Sequence, residues 1–274
     1  MADQVRETGW PGGKASPGVW QAIVNQQPPH RVYVEAFAGG AAVLRAKRPA
    51  AVNIALDLDR RALARLADRP DVTAIEADAV AWLAAHDWQG DELVYADPPY
   101  PGNVRRLDRA IYAHEMLDEA AHERLLDVLV TLPCAVQVSG YASPLYARRL
   151  AGWRLVTFTG QTRGGPSVEH LWCNYPAPPV LHDWRFVGDG YRERERIKKQ
   201  VRRWAAKLGA APGPERQAIL SALVAQFGSA DPAAGGDAGS RDDALDPLAA
   251  GGDGAGDTAT GGGARARPRL VASR

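Results

Sequence analysis

The chain has 274 residues, 46% of them apolar, enough for one large hydrophobic core with further extensions. Its formal net charge is +1, so affinity for nucleic acid has to come from a local patch rather than the overall balance. Cys134 and Cys173 lie in strand-like runs without metal-type spacing, no apolar run is long enough to span a membrane, and the first residues lack the apolar stretch of a secretion signal. The expectation is therefore a cytoplasmic protein with reduced thiols and no membrane association.

Residues 9–14, Gly-Trp-Pro-Gly-Gly-Lys, read as a loop ending in a cation, Lys14. The glycines let backbone and ammonium approach a ligand closely, although the spacing is not that of a phosphate loop. Residues 16–25 fit a short helix with Val19, Trp20, Ile23 and Val24 on one side. Arg31 to Ala36 is a strand, and Phe37-Ala38-Gly39-Gly40 runs from it into a helix of small residues. Strand, glycine turn and helix make the nucleotide-binding order, and a plain tight turn accounts for the glycines equally well.

Val52 to Leu56 is a second strand, ending at Asp57, an acid placed to hold two ribose hydroxyls. Asp59 fits as the cap of a helix over 60–67. Val72 to Glu76 is a third strand. Asp78 after it either touches a ligand base or caps the helix through Trp82 and Leu83. Glu92 to Ala96 reads as a buried strand that Asp97-Pro98-Pro99-Tyr100 brings to a stop, since two prolines cannot continue a ladder. A carboxylate, a stiff backbone and an aromatic ring are thereby left at the carboxyl end of a strand, where open α/β sheets hold ligands. The group suits a planar ring bearing an amino group: Asp97 and the Pro98 carbonyl accept its two N–H bonds, and Tyr100 stacks on its face.

The loop from Pro101 to Tyr112 carries Arg105, Arg106 and Arg109, suited to phosphate contact or simply to solvent. Asp118 fits as the cap of a helix with Ala121, Leu125, Val128 and Leu129 on one face, and Cys134 to Ser139 is the next strand. Arg154 to Thr159 and Val168 to Tyr175 read as two strands around a loop over 160–167, in which Gln161, Arg163 and Ser167 are polar groups suited to nucleic-acid contact. Residues 185–207 hold nine Arg or Lys against three Asp or Glu, while Ile197, Val201, Trp204 and Leu208 recur at helical spacing. The expectation is an amphipathic helix that packs by its apolar edge and offers Lys198, Lys199 and Arg202 to a phosphate backbone. Residues 215–227 suggest one more helix, and the Gly, Ala and Asp-rich stretch from Gly228 reads as disordered.

Trp10 with Gly12-Gly13-Lys14, the Phe37-Ala38-Gly39-Gly40 turn, Asp57 and Asp97-Pro98-Pro99-Tyr100 stand in the order found in Dam-like (D12) DNA adenine N6-methyltransferases, which the chain resembles over roughly residues 8–175. The resemblance implies a Rossmann-like class I methyltransferase fold of the α/β class, with a mixed, mostly parallel sheet flanked by helices. It implies S-adenosyl-L-methionine as cofactor, held by Trp10, Lys14, Phe37, Gly39, Asp57, Asp78 and Asp97. Asp97, Pro98, Pro99 and Tyr100 become the catalytic residues, acting on a flipped adenine of double-stranded DNA. A cognate restriction endonuclease is a further implied partner. The expected organisation is a methyltransferase domain over 1–180, a basic helical extension over 181–227 and the tail from 228; oligomeric state stays open.

Two departures qualify the resemblance. The family usually has glycine where Ala41 stands, which points to a tighter methionine end of the cofactor pocket. It also usually inserts a target-recognition region between the second-strand acid and the DPPY strand, where this chain has only residues 58–96. Relaxed sequence specificity is the expectation that follows. Cytosine N4 as the acceptor, or a non-catalytic nucleic-acid binder built on the basic helix, are the competing readings.

Overall fold

A computed structural model of the protein describes residue 10 and residues 13–100, 116, 118–162 and 165–228. Arg105, Arg106, Arg109, Arg163 and the stretch from 229 lie outside the described residues.

Seven strands form one sheet: β1 (Val32–Ala36), β2 (Val52–Asp57), β3 (Val72–Glu76), β4 (Glu92–Ala96), β5 (Ala135–Gly140), β6 (Arg154–Thr162) and β7 (Gly165–Cys173). Their order is β3-β2-β1-β4-β5-β7-β6. The first five are parallel, and β7 enters antiparallel between β5 and β6. Every residue of β1 and β4 is buried. That explains why both are apolar apart from Glu35 and Glu92, because a central parallel strand is covered on both faces.

On one face α4 (Ala79–Ala85), α5 (Glu119–Leu129) and α6 (Pro144–Arg149) supply Leu83, Leu125, Leu126, Leu129 and Leu145 to a core with Val34, Leu56, Val94 and Val138. On the other, α1 (Val19–Val24) and α2 (Ala42–Ala46) bring Val19, Ile23 and Leu44 against Tyr33, Leu93, Tyr95 and Leu171. The alternation of side chains along each strand feeds both cores. This is the Rossmann-like, class I methyltransferase arrangement, with the sheet order reversing direction between β1 and β4.

The capping expectations hold. Asp59, Asp78 and Asp118 each accept a backbone N–H in the first turn of the helix that follows, at 2.9, 3.0 and 2.6 Å. Two element boundaries differ from expectation. α3 (Arg60–Ala64) is shorter than 60–67; beyond it the chain tightens into turns in which Leu66 N bonds Leu63 O. The loop expected over 160–167 is mostly strand, for Gly160 pairs with Ser167, Gln161 with Pro166 and Thr162 with Gly165. The polar, glycine-rich composition read as a loop, but the ladder runs on past the core as a two-stranded ribbon, and Gly165, at φ +104, turns it back. Residues 58–96 are consumed by α3, β3, α4 and β4 with their short links, so no inserted domain lies between Asp57 and Asp97.

After β7 the chain crosses back over the α1 side. Phe186 meets Trp20 edge-on at 4.6 Å, and the Asn25 side-chain amide donates to the Phe186 carbonyl at 2.6 Å. α7 (Tyr191–Ala210) and α8 (Gly213–Phe227) follow, and neither buries a single residue. Among the described residues no helix is long and apolar enough to cross a membrane.

Candidate active site

The site lies where the sheet order reverses. Ala36 and Ala96 are register partners at the carboxyl ends of β1 and β4, and Asp97 N bonds Ala36 O at 3.4 Å. The chains leaving the two strands therefore emerge side by side, as the geometry of a switch point requires. A cavity of about 760 Å³ opens there. Trp10, Lys14, Phe37, Gly39, Asp57, Asp78 and Asp97, the seven residues singled out for the cofactor, all line it, as do Glu35, Ala41 and Pro99.

The turn after β1 is strained and tightly packed. Phe37, Gly39 and Ala41 take φ of +61, +50 and +49. For a non-glycine residue this conformation costs about 1–2 kcal/mol, and such strain gathers at ligand sites. The Trp10 indole lies directly against the turn: a Cβ on Gly39 would stand 2.8 Å from Trp10 Nε1, and one on Gly40 2.8 Å from Trp10 Cβ. The two glycines are thus what admits the ring. Ala41 keeps the left-handed backbone that glycine would take more easily, and its methyl is part of the cavity wall.

Asp57 anchors this turn from β2. Its Oδ2 accepts from Gly39 N at 2.7 Å and its Oδ1 from Asp59 N at 2.8 Å. Each oxygen keeps a further acceptor site for a hydroxyl. Asp78 caps α4 and borders the cavity at the same time, so the two expected roles coexist.

At the opposite end Lys14 is the hub. Its buried ammonium donates to Asp97 Oδ1 at 2.8 Å and to Tyr100 Oη at 2.7 Å, and it stands 3.8 Å from Glu169 Oε2. The Tyr100 hydroxyl donates in turn to Glu169 Oε2 at 3.0 Å. Burial, helped by the Asp97 and Glu169 carboxylates, holds the Tyr100 phenol well above its usual pKa, so it stays a donor. Burial also raises the Glu169 carboxyl, against the pull of Lys14. Asp97 Oδ2 takes no hydrogen bond among the described residues and is left for a ligand. Pro98 is buried, and the Tyr100 ring sits 4.5 Å from Tyr141; neither Pro98 nor Tyr100 belongs to the wall of this cavity.

Two acids went unflagged by sequence reasoning. Glu35 is fully enclosed in β1, where its Oε2 accepts from Tyr33 Oη at 2.9 Å and Leu44 N at 2.7 Å. Burial pushes its pKa up to about 8. Glu169 sits on β7 with Leu171 and Cys173, the face turned inward. A signal was present in both cases: a lone acid inside an apolar strand must be paired or used, because an unpaired buried charge is costly. Lys198, Lys199 and Arg202 lie together on the exposed length of α7, away from this cavity.

Neither a model of a known protein family nor a curated protein sequence matches the chain. Solved structures that align with it include the N-methyltransferase NodS from Bradyrhizobium japonicum WM9, at 12% identity and a TM-score of 0.41, covering 57% of this chain and 93% of that one. The 23S rRNA methyltransferase ErmE aligns at 14% identity and a TM-score of 0.37, over 70% of this chain and 87% of its own. A dimethyladenosine transferase from Plasmodium falciparum gives 11% and 0.38, over 59% and 61%. The fold assignment itself rests on the sheet order and on the antiparallel entry of β7.

Proposed function

We propose that the protein transfers the methyl group of S-adenosyl-L-methionine to N6 of an adenine flipped out of double-stranded DNA. The observation that carries this reading is the Ala36–Ala96 register, which puts the glycine turn and the Asp97 carboxylate on one cavity. The residues fit such a cofactor. The cavity volume lies in the range of small-molecule sites, and the Asp57 and Asp97 carboxylates on its wall favour a ligand with positive charge and hydroxyls. Asp57 would take the ribose hydroxyls, and Trp10 over the glycines would supply an apolar wall. Bound there, the cofactor supplies an electrophilic methyl carbon.

The remaining work falls to the chain. An exocyclic amine is a poor nucleophile because its lone pair is delocalised into the ring. Asp97 Oδ2 and the Pro98 carbonyl, as acceptors of its N–H bonds, would draw the nitrogen toward a tetrahedral shape and hold it in line. Lys14 keeps Asp97 oriented from its other oxygen. Flipping costs a few kcal/mol, and stacking on Tyr100 would offset roughly 1–3 kcal/mol of it. The basic side of α7 supplies a phosphate-binding surface, and the absence of an insert between Asp57 and Asp97 supports relaxed site choice.

The test is methylation by the purified protein of duplex DNA and of RNA, each digested to nucleosides and weighed. N6-methyladenine in the DNA is expected. With Asp97→Asn the rate should fall by about 10²–10³ while far-ultraviolet circular dichroism shows the protein still folded at the assay temperature. N4-methylcytosine, or label confined to RNA, would replace the acceptor in this reading. No transfer, with no thermal stabilisation by the cofactor, would overturn it.

A further inference from the structure

We propose that α7 and α8 form an arm through which two copies of this chain associate, their four helices closing into one bundle. From Lys198 onward nearly every residue of the arm is exposed, yet both helices carry apolar stripes. On α7, Ile197, Val201, Trp204 and Leu208 recur at spacings of four, three and four, the seam of a helix that meets another helix. On α8, Ile219, Leu220, Leu223, Val224 and Phe227 are 36–68% exposed and fall at the i, i+1, i+4, i+5, i+8 positions of one side. An apolar side on a stable helix has to be covered, and two helices cannot enclose a core.

Charge and area both favour a second copy as the occupant. α8 holds one Glu and one Arg in its fifteen residues, so it neither repels itself nor offers a phosphate backbone more than a single cation. Lys198, Lys199, Arg202 and Arg203 lie on the side of α7 opposite the seam, so bundling would not bring them together. The exposed apolar side chains of the arm amount to on the order of 600 Å² per copy, close to the ~800 Å² per partner of an ordinary interface. A two-fold axis would use the same patch twice, which is the commonest way for such a surface to be satisfied. The basic sides of both α7 helices would then stay outward and available.

The inference stands independently of the reaction. Sedimentation equilibrium of the full-length protein between about 1 and 100 µM should give twice the chain mass. The Leu223→Glu/Phe227→Glu variant should give the single-chain mass with unchanged helical circular dichroism. Lys198→Ala/Lys199→Ala should leave the mass doubled. A single-chain mass for the unaltered protein throughout that range would overturn the proposal. So would a variant that stays dimeric, or dimerisation that appears only when DNA is added. The methyl-transfer assay is a separate readout, so failure of one does not decide the other.

Discussion

At the residue scale the site is dominated by carboxyl groups in unusual surroundings. Glu35 is the clearest case. Its proton is held more tightly in the folded chain than in the unfolded one, so the stabilisation it brings is complete below about pH 4.5 and is lost as pH rises through about 8. Lys47, which burial lowers to about 7, acts in the opposite sense: its contribution returns only above that value. The Lys47 change lies above pH 7, so it does not overlap the Glu35 effect between pH 5 and 7. Glu35→Gln keeps a carbonyl for Tyr33 and Leu44 but removes the titration. Over pH 4.5 to 8 the variant should gain roughly 3–5 kcal/mol relative to the parent, read from denaturant midpoints across that range. Parallel pH profiles would refute the assignment. Asp97 was legible in the sequence because prolines and a strand end frame it. Glu35 and Glu169 carried only the signal of an acid inside an apolar strand, which says that it is paired or used and does not say by what. Only the fold brings Lys14 within reach of both Asp97 and Glu169, across 83 residues in one case.

At the element scale the turn between β1 and α2 governs the cavity. Gly40 has no left-handed φ, so Gly40→Ala tests packing without backbone strain. Its new methyl would meet Trp10, and overpacking of about 1–3 kcal/mol should weaken cofactor binding roughly tenfold by calorimetry. Gly152→Ala, whose Cβ meets open space, should change nothing. Equal affinities for the two variants would show that Trp10 does not shape the binding site. The elements themselves were largely readable: β1 to β4 fall within a residue of the expected runs, since the buried parallel strands β1, β2 and β4 are mostly apolar stretches and the edge strand β3 keeps β-branched residues. The inner parts of β6 and β7 were readable too, but their outer continuation over 160–167 was not, because it lies beyond the core, where no burial pattern marks a strand.

At the scale of the whole molecule, a chain of net charge +1 carries a local excess of cations on α7, eight Lys or Arg against two Glu. Replacing Lys198, Lys199 and Arg202 by alanine should lower the slope of log affinity for DNA against log salt by up to about 2.7. Cofactor affinity should be untouched, because none of the three borders the cavity. An unchanged slope would move the DNA path elsewhere. The general architecture was legible from the alternation of strands and helices, whereas the exposure of α7 and α8 was not: an amphipathic pattern says that a face is to be covered, and leaves open whether by the same chain.

The strand order carries a consequence for synthesis. β7 is made last yet lies between β5 and β6, so β6 has no neighbour in the sheet until residues 165–173 have left the ribosome. Glu169 arrives with that strand and completes the surroundings of Lys14. At translation speeds of about 5–20 residues per second, the residues that follow Cys173 leave several seconds in which β7 can pair before the chain is released. Chains that stall or are cut short before β7 is made would be silent rather than partly active.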